Sequence, residues 1–218
     1  KHYLTELIQY TRILKQRNEW LKQYTREAIH DYTLLDIYSR QLHESGQILY
    51  EKRKQFCSQY TVLVQSYYKQ LSGEQEDTGI LYQSALHEST LIQLLNQSVD
   101  TDLQLGYTRQ GIHRDDLYFS LQNRPMKSSA SQGQRKSFLF SLKLAQYELL
   151  CAGHVSPILL LDDLFEKLDE ERSRRLITLI QDMPGQVFIT DTHLQRLQHA
   201  FRFYGDRVSY LALPQADS

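Results

Sequence analysis

Two adjacent carboxylates, Asp162 and Asp163, follow directly on the apolar run Ile158-Leu159-Leu160-Leu161. Such a run suits a short strand buried on both faces. In an α/β sheet, ligands gather beyond the carboxyl ends of the strands, so these acids are placed to face a site. Acids in that position can do phosphate chemistry. The first, Asp162, would hold Mg²⁺ directly or through water, and the second, Asp163, would polarise an attacking water. The pattern has the form of a Walker B motif. Taken alone it is also an ordinary strand end whose acids cap the next segment.

Upstream, Ala130-Ser131-Gln132-Gly133-Gln134 stands just before a helical pattern that runs from Gly133 to Leu150. A glycine lets backbone approach a ligand closely, helix N-terminal N–H groups point outward, and a serine hydroxyl adds a donor, so such a loop can receive a phosphate. The same residues also make a plain helix cap. Downstream, Phe165-Glu166-Lys167-Leu168-Asp169 leads into a second helical pattern, Asp169 to Gln181, with Asp169 placed to cap it. Pro184-Gly185 marks a turn, and QVFIT, ending at Thr190, reads as another buried strand followed by Asp191 and His193. Strand, helix and strand in this order predict a parallel α/β sheet covered by helices. The agreement of every step in sequence makes the phosphate reading stronger than any single motif.

The stretches SSASQGQRKSFLFSLKLAQYELL, PILLLDDLFEKLD and QVFITDTH resemble the RecF-type family of DNA-repair proteins, SMC-like members of the ABC ATPases. GYTRQGIHRDDLYFSL resembles the family's G-x-HRDDL segment, and YLTELIQYTRILKQRNEWLK resembles the start of its helical arm, so the resemblance covers essentially the whole chain. It implies an α/β fold: part of an ABC/SMC-like ATPase head with a helical-hairpin arm. It also implies that Ser131, Gln132, Gly133 and Gln134 form the signature loop, which meets the ATP of a second subunit in an ATP-dependent homodimer. Asp169 would belong to the D-loop, Thr190 and Asp191 to the switch region, and Asp162 and Asp163 to the Mg²⁺ and water positions beside a phosphate loop of the same subunit. ABC ATPases place a γ-phosphate-sensing His in the switch; here the comparable residue is Asp191, with His193 two positions on. An acid does not replace His as a donor unless it is protonated.

No phosphate loop of the form GxxxxGK[ST] is present: the one GxxxxG spacing, Gly106 to Gly111, is followed by Ile112-His113. Family members carry that loop ahead of the matched region. The resemblance therefore implies an N-terminal part outside this sequence, as does a first residue, Lys1, that already lies within a helical pattern. HRDD is not a kinase catalytic loop, because the kinase glycine loop, DFG and downstream Asn are missing. His113 and Arg114 read better as structural, with ion pairing among Arg114, Asp115 and Asp116 at a strand end.

Residues 1 to about 72 hold one Gly and no Pro and carry helical periodicity, with Leu7, Leu14 and Leu21 on one segment and Leu35, Leu42, Leu49, Phe56 and Leu63 on the next. Two such seams can meet in a helical hairpin. Basic residues cluster on this arm, at Arg12, Lys15, Arg17, Lys22 and Arg26 and at Lys52, Arg53 and Lys54. LSGEQEDTG reads as a linker, which divides the chain into an arm, 1–75, and a head portion, 76–218. A short helix is expected near Thr90 to Gln97, short strands from Gly106 to Leu121, a turn at Asn123-Arg124-Pro125, and two closing strands in Phe201 to Leu213.

With 25 Lys+Arg against 26 Asp+Glu in 218 residues, no global basic field exists to hold nucleic acid, so any DNA contact needs a local patch. Cys57 and Cys151 stand apart, outside any metal-ligand spacing. No long apolar run or signal-peptide pattern occurs, which predicts a cytoplasmic protein without a membrane partner. The resemblance implies ATP and Mg²⁺ as cofactors, duplex DNA beside single-strand gaps as ligand, and RecO- and RecR-type mediators as partners in loading recombinase. ATP hydrolysis would be weak and would reset the dimer, while this chain alone would hydrolyse none. Two other readings remain: a different SMC-like head, disfavoured because about 70 helical residues at 1.5 Å each make only two short legs, or a helical interaction scaffold with vestigial ATPase motifs.

Overall fold

A computed structural model of the chain describes residues 2–24, 31–153 and 156–212; Lys1, Arg26 and Leu213 lie outside them. Its elements are α1 (His2–Tyr24), α2 (Thr33–Ser72), β1 (Thr78–Gln83), α3 (Leu91–Leu105), β2 (Asp116–Leu121), β3 (Arg124–Pro125), α4 (Met126–Ser129), α5 (Gln132–Ala152), β4 (Ile158–Leu161), α6 (Glu170–Gln181), β5 (Gln186–Ile189) and α7 (Leu194–Ala200). They group into two compact units, one of residues 1–61 with 79–120 and one of residues 62–78 with 121–218. This grouping differs from a 1–75/76–218 division: the arm helices share a core with α3, and the last turns of α2 belong with the second unit.

In the first unit α1 and α2 run antiparallel, in a register that contacts spaced by seven residues make visible. Arg53 Nε donates to Tyr3 Oη at 3.1 Å, the Tyr10 ring lies 3.2 Å from where a Cβ on Gly46 would stand, Arg17 Nε reaches Ser39 Oγ at 3.4 Å, and the hydroxyls of Tyr24 and Tyr32 meet at 2.8 Å. At the two middle levels a small residue of α2, Gly46 or Ser39, opposes a large one of α1, Tyr10 or Arg17. The leucine seams follow the same register, with Leu7, Leu14, Leu42 and Leu49 in one apolar cluster and Leu21 and Leu35 in another. Each leucine fully buried there contributes about 1.5–3 kcal/mol.

The expected seam stops early. Phe56 is 48 % exposed and stacks on Tyr60 instead. α3 is longer than expected: a capping box of Thr90 and Gln93 opens it, and Gly106 closes it with a left-handed φ of 73°. Of the strands expected between Gly106 and Leu121 only β2 forms, after a 3₁₀ turn at Ile112–Arg114. Its neighbour β1 begins at Thr78, inside the expected linker.

In the second unit β4 and β5 pair in parallel, Ile158 opposite Gln186 through Leu161 opposite Ile189. α5 and α6 supply the cover: Phe140, Leu144, Leu159, Leu161, Leu164, Leu176 and Ile177 form its core. β4 is buried on one face only. Leu159 and Leu161 point into the core, whereas Ile158 and Leu160 are exposed at 58 % and 60 %, because the described residues cover only one side of the strand pair. Phe201 to Ala212 forms a turn and a 3₁₀ turn at Gly205–Arg207 in place of the two strands expected there. No helix among the described residues is long and apolar enough to cross a membrane.

Candidate functional site: two carboxylates, a capped loop and their supports

β4 ends at Leu161, which puts Asp162 and Asp163 beyond the carboxyl end of a parallel strand. Asp163 takes a left-handed φ of 48°, a conformation that Asp tolerates better than most side chains. Thr190, at the end of β5, fixes the pair. Its hydroxyl bonds to Asp162 Oδ1 and accepts the Asp163 N–H at 3.0 Å, while its backbone N–H donates to Leu161 O at 3.0 Å. The Asp163 carboxylate makes no hydrogen bond or ion pair among the described residues. From α5, Lys136 Nζ donates to Asp162 O at 3.1 Å, and Lys143 Nζ donates to Leu160 O at 2.9 Å. Asp191 accepts the His193 N–H at 2.8 Å.

The serine loop is a complete capping box. Ser131 Oγ accepts the Gln134 N–H at 3.2 Å, and Gln134 Oε1 accepts the Ser131 N–H at 2.8 Å. The other first-turn N–H groups, on Gln132 and Gly133, have no intrahelical acceptor, and the Ser131 proton remains available to donate. Gly133 has a second reason to be glycine: a Cβ there would lie 2.9 Å from the Lys167 carbonyl. The loop is therefore packed directly against the segment ending in Asp169. That residue caps α6, accepting the Arg172 N–H at 2.7 Å.

Sequence reasoning missed Glu76. It lies in the expected linker, yet its carboxylate accepts hydrogen bonds from Tyr68 Oη at 2.6 Å, Gln134 Nε2 at 2.8 Å and Arg172 Nη2 at 2.9 Å. Burial acts to raise the Glu76 carboxyl, but these three donors and the Arg172 charge outweigh it and hold it below the usual range. The only sequence signal was an acid shortly after a long helix.

The residues that carried the family resemblance in the first unit are consumed by packing. Arg17 Nη1 donates to Asp102 at 2.8 Å and to Thr108 Oγ1 at 2.6 Å, with both charged side chains wholly buried. Asn18 Oδ1 accepts the Thr108 N–H at 2.8 Å. His113 sits between Tyr10 Oη at 3.0 Å and Thr108 O at 3.1 Å. Asp115 accepts from Tyr82 Oη at 2.5 Å and pairs with Arg53 at 3.4 Å, not with Arg114, whose guanidinium lies over the Tyr107 ring at 5.6 Å. Folding brings α2 to this acid, whereas its chain neighbour is drawn to an aromatic face.

The donor set fits Mg²⁺ only as part of a larger site. No cluster of three or more metal-binding side chains occurs among the described residues. Mg²⁺ is commonly held by one or two carboxylates plus phosphate and water, and the exposed Asp162 and half-buried Asp163 supply that much.

No family model matches the chain. It is 41 % identical over 198 residues to the DNA replication and repair protein RecF of Flavobacterium johnsoniae, covering 90 % of this chain and 55 % of that protein. It is 43 % identical over 197 residues to the RecF of Cytophaga hutchinsonii, covering 89 % and 52 %. Among solved structures it is similar to the recombination mediator protein RecF with ATP in the RecFOR pathway, with a TM-score of 0.76 and 26 % identity over 89 % of this chain and 54 % of that one. The chain thus spans about half the length of the relatives it matches. Over about nine-tenths of its own length, this chain is similar to about half of each of these RecF proteins.

Proposed function

We propose that this chain is the part of an ATP-dependent DNA-repair protein that supplies the acids, signature loop and D-loop of a nucleotide site, completed by a phosphate-binding half like that of its relatives. The observation that carries the reading is the Thr190 hydroxyl, bonded to Asp162 and to the Asp163 N–H beyond a parallel strand pair, which leaves the Asp163 carboxylate unengaged. In this mechanism Asp162 would hold Mg²⁺, which would supply charge to neutralise developing phosphate charge. Asp163 orients the attacking water and accepts its proton. Thr190 keeps the two acids at a fixed spacing and, with Asp191, which accepts the His193 N–H, makes up the switch region beside them. Ser131 and the Gln132 and Gly133 N–H groups meet the γ-phosphate held by a second subunit, and Gln134 braces that loop. The exposed apolar face of Ile158, Leu160 and Phe188 receives the phosphate-binding half.

In the cell this assembly would act in the cytoplasm on duplex DNA next to single-strand gaps, with RecO- and RecR-type mediators, to help load recombinase. The nearly neutral chain leaves DNA contact to local faces. One such face is the cleft of about 680 Å³ rimmed by Arg174, Arg196 and Arg202. The test uses the longer polypeptide with its phosphate-binding half. Asp163→Asn should lower ATP turnover about 10²–10⁴-fold, the usual range for a positioned base, with ATP-dependent dimerisation retained. Unchanged turnover would favour the scaffold with vestigial motifs.

A further inference from the structure

Glu76 joins three elements that are far apart in sequence. Tyr68 lies near the end of α2, Gln134 in the serine loop, and Arg172 in the first turn of α6, after Asp169. The connections continue outward. Gln134 Oε1 holds the Ser131 N–H at 2.8 Å, while Arg172 reaches Ser137 Oγ at 3.1 Å and Asp169 Oδ2 at 3.4 Å. An unbroken hydrogen-bonded path thus runs from Ser131 through Gln134, Glu76 and Arg172 to Asp169. A backbone contact duplicates it where Gly133 meets the Lys167 carbonyl. Three residues after Arg172, on the same face of α6, Arg175 donates to Leu71 O at 3.4 Å and lies against Gly73. A guanidinium at the last carbonyls of α2 also complements that helix's negative end.

A mostly buried ion pair of this kind adds little net stability over an apolar replacement, but it fixes geometry because each member tolerates few alternative partners. We infer that Glu76, together with Arg172, is a positioning residue that holds the Ser131–Gln134 loop and the Asp169 loop at one spacing and ties both to the end of α2. Its consequence for turnover rests on the proposed function; the linkage itself does not. Force or displacement reaching the end of α2 then moves the two loops as one body.

Hydrogen exchange of the full chain without nucleotide tests the linkage. Glu76→Ala should raise exchange about tenfold, the loss of roughly one charge-assisted hydrogen bond, across both 131–136 and 166–172, with α3 unchanged. Tyr68→Phe should loosen 69–76 alone. Wild-type exchange in both loops of Glu76→Ala, or a change in one loop only, overturns the inference. If Glu76→Ala does not fold, Arg172→Lys, which keeps the charge but loses the fork to Ser137 and Asp169, must loosen both loops or the inference falls. In the longer polypeptide, Glu76→Gln should lower kcat about tenfold, matching the loosening of the loops, while KM for ATP stays within about twofold, and a change in KM alone counts against positioning. A wild-type protein without ATP turnover would refute the proposed function, and the exchange result would still decide on Glu76.

Discussion

The two units use similar residue types in opposite ways. In the first, Arg17, Asp102, Thr108, His113 and Asp115 are turned inward and bonded to one another or to backbone, with little charge left for a ligand. In the second, Asp162 and Asp163 stand at a strand end, and one threonine hydroxyl holds them without satisfying them. Both sets contributed to the same family resemblance. Motif strength therefore does not distinguish a structural lock from a reactive site; the number of unspent hydrogen-bonding positions does.

That contrast can be broken most directly at Arg17. Arg17→Ala leaves Asp102 buried without its ion pair and should cost about 3–5 kcal/mol, read as a lower denaturant midpoint for the first unit. A loss under about 1 kcal/mol would mean that the network is not the lock described. Gly133→Ala should cost about 1–3 kcal/mol in the second unit, because its Cβ would meet the Lys167 carbonyl. A neutral result would show that the two loops are not held in contact.

His113 offers a sharper, smaller test. Burial pushes its pKa down, the nearby Arg114 charge acts in the same direction, and the bond to Thr108 O with the charges of Asp115 and Asp102 opposes them. The neutral ring is therefore favoured in the fold. Its stabilisation is present above the unfolded histidine value of about 6.5 and is lost as pH falls through the lower folded value. Stability of the first unit should drop across that window by about 1 kcal/mol per unit of pKa difference, and His113→Gln should flatten the drop. By contrast, Asp163→Asn should change stability by less than about 0.5 kcal/mol, since its carboxylate has no partner to lose. A large destabilisation would move Asp163 into the class of locks. If the arginine-rimmed cleft takes DNA as proposed, Arg196→Glu should weaken binding about equally on all sequences and reduce the salt slope by about 1.

Much of the local structure was legible in the residues. The Ser131/Gln134 box, the Asp169 cap, the leucines at 7, 14, 21, 35, 42 and 49, and the parallel strand pair all follow from rules whose range is a turn or two of chain. Phe56 departs from the heptad, 48 % exposed and stacked on Tyr60, because a heptad states which face is apolar, not what covers it.

The sequence by itself determined that this chain could place two acids after a strand and a capped serine loop before a helix. Only the tertiary structure decided which polar groups remain free. Arg17 and Asp102 are 85 residues apart and cancel each other, Arg53 rather than Arg114 takes Asp115, and Glu76 gathers Gln134 and Arg172 from 58 and 96 residues away. Such pairings have no local signature, because a hydrogen bond is satisfied by whichever donor the folded backbone brings within about 3 Å.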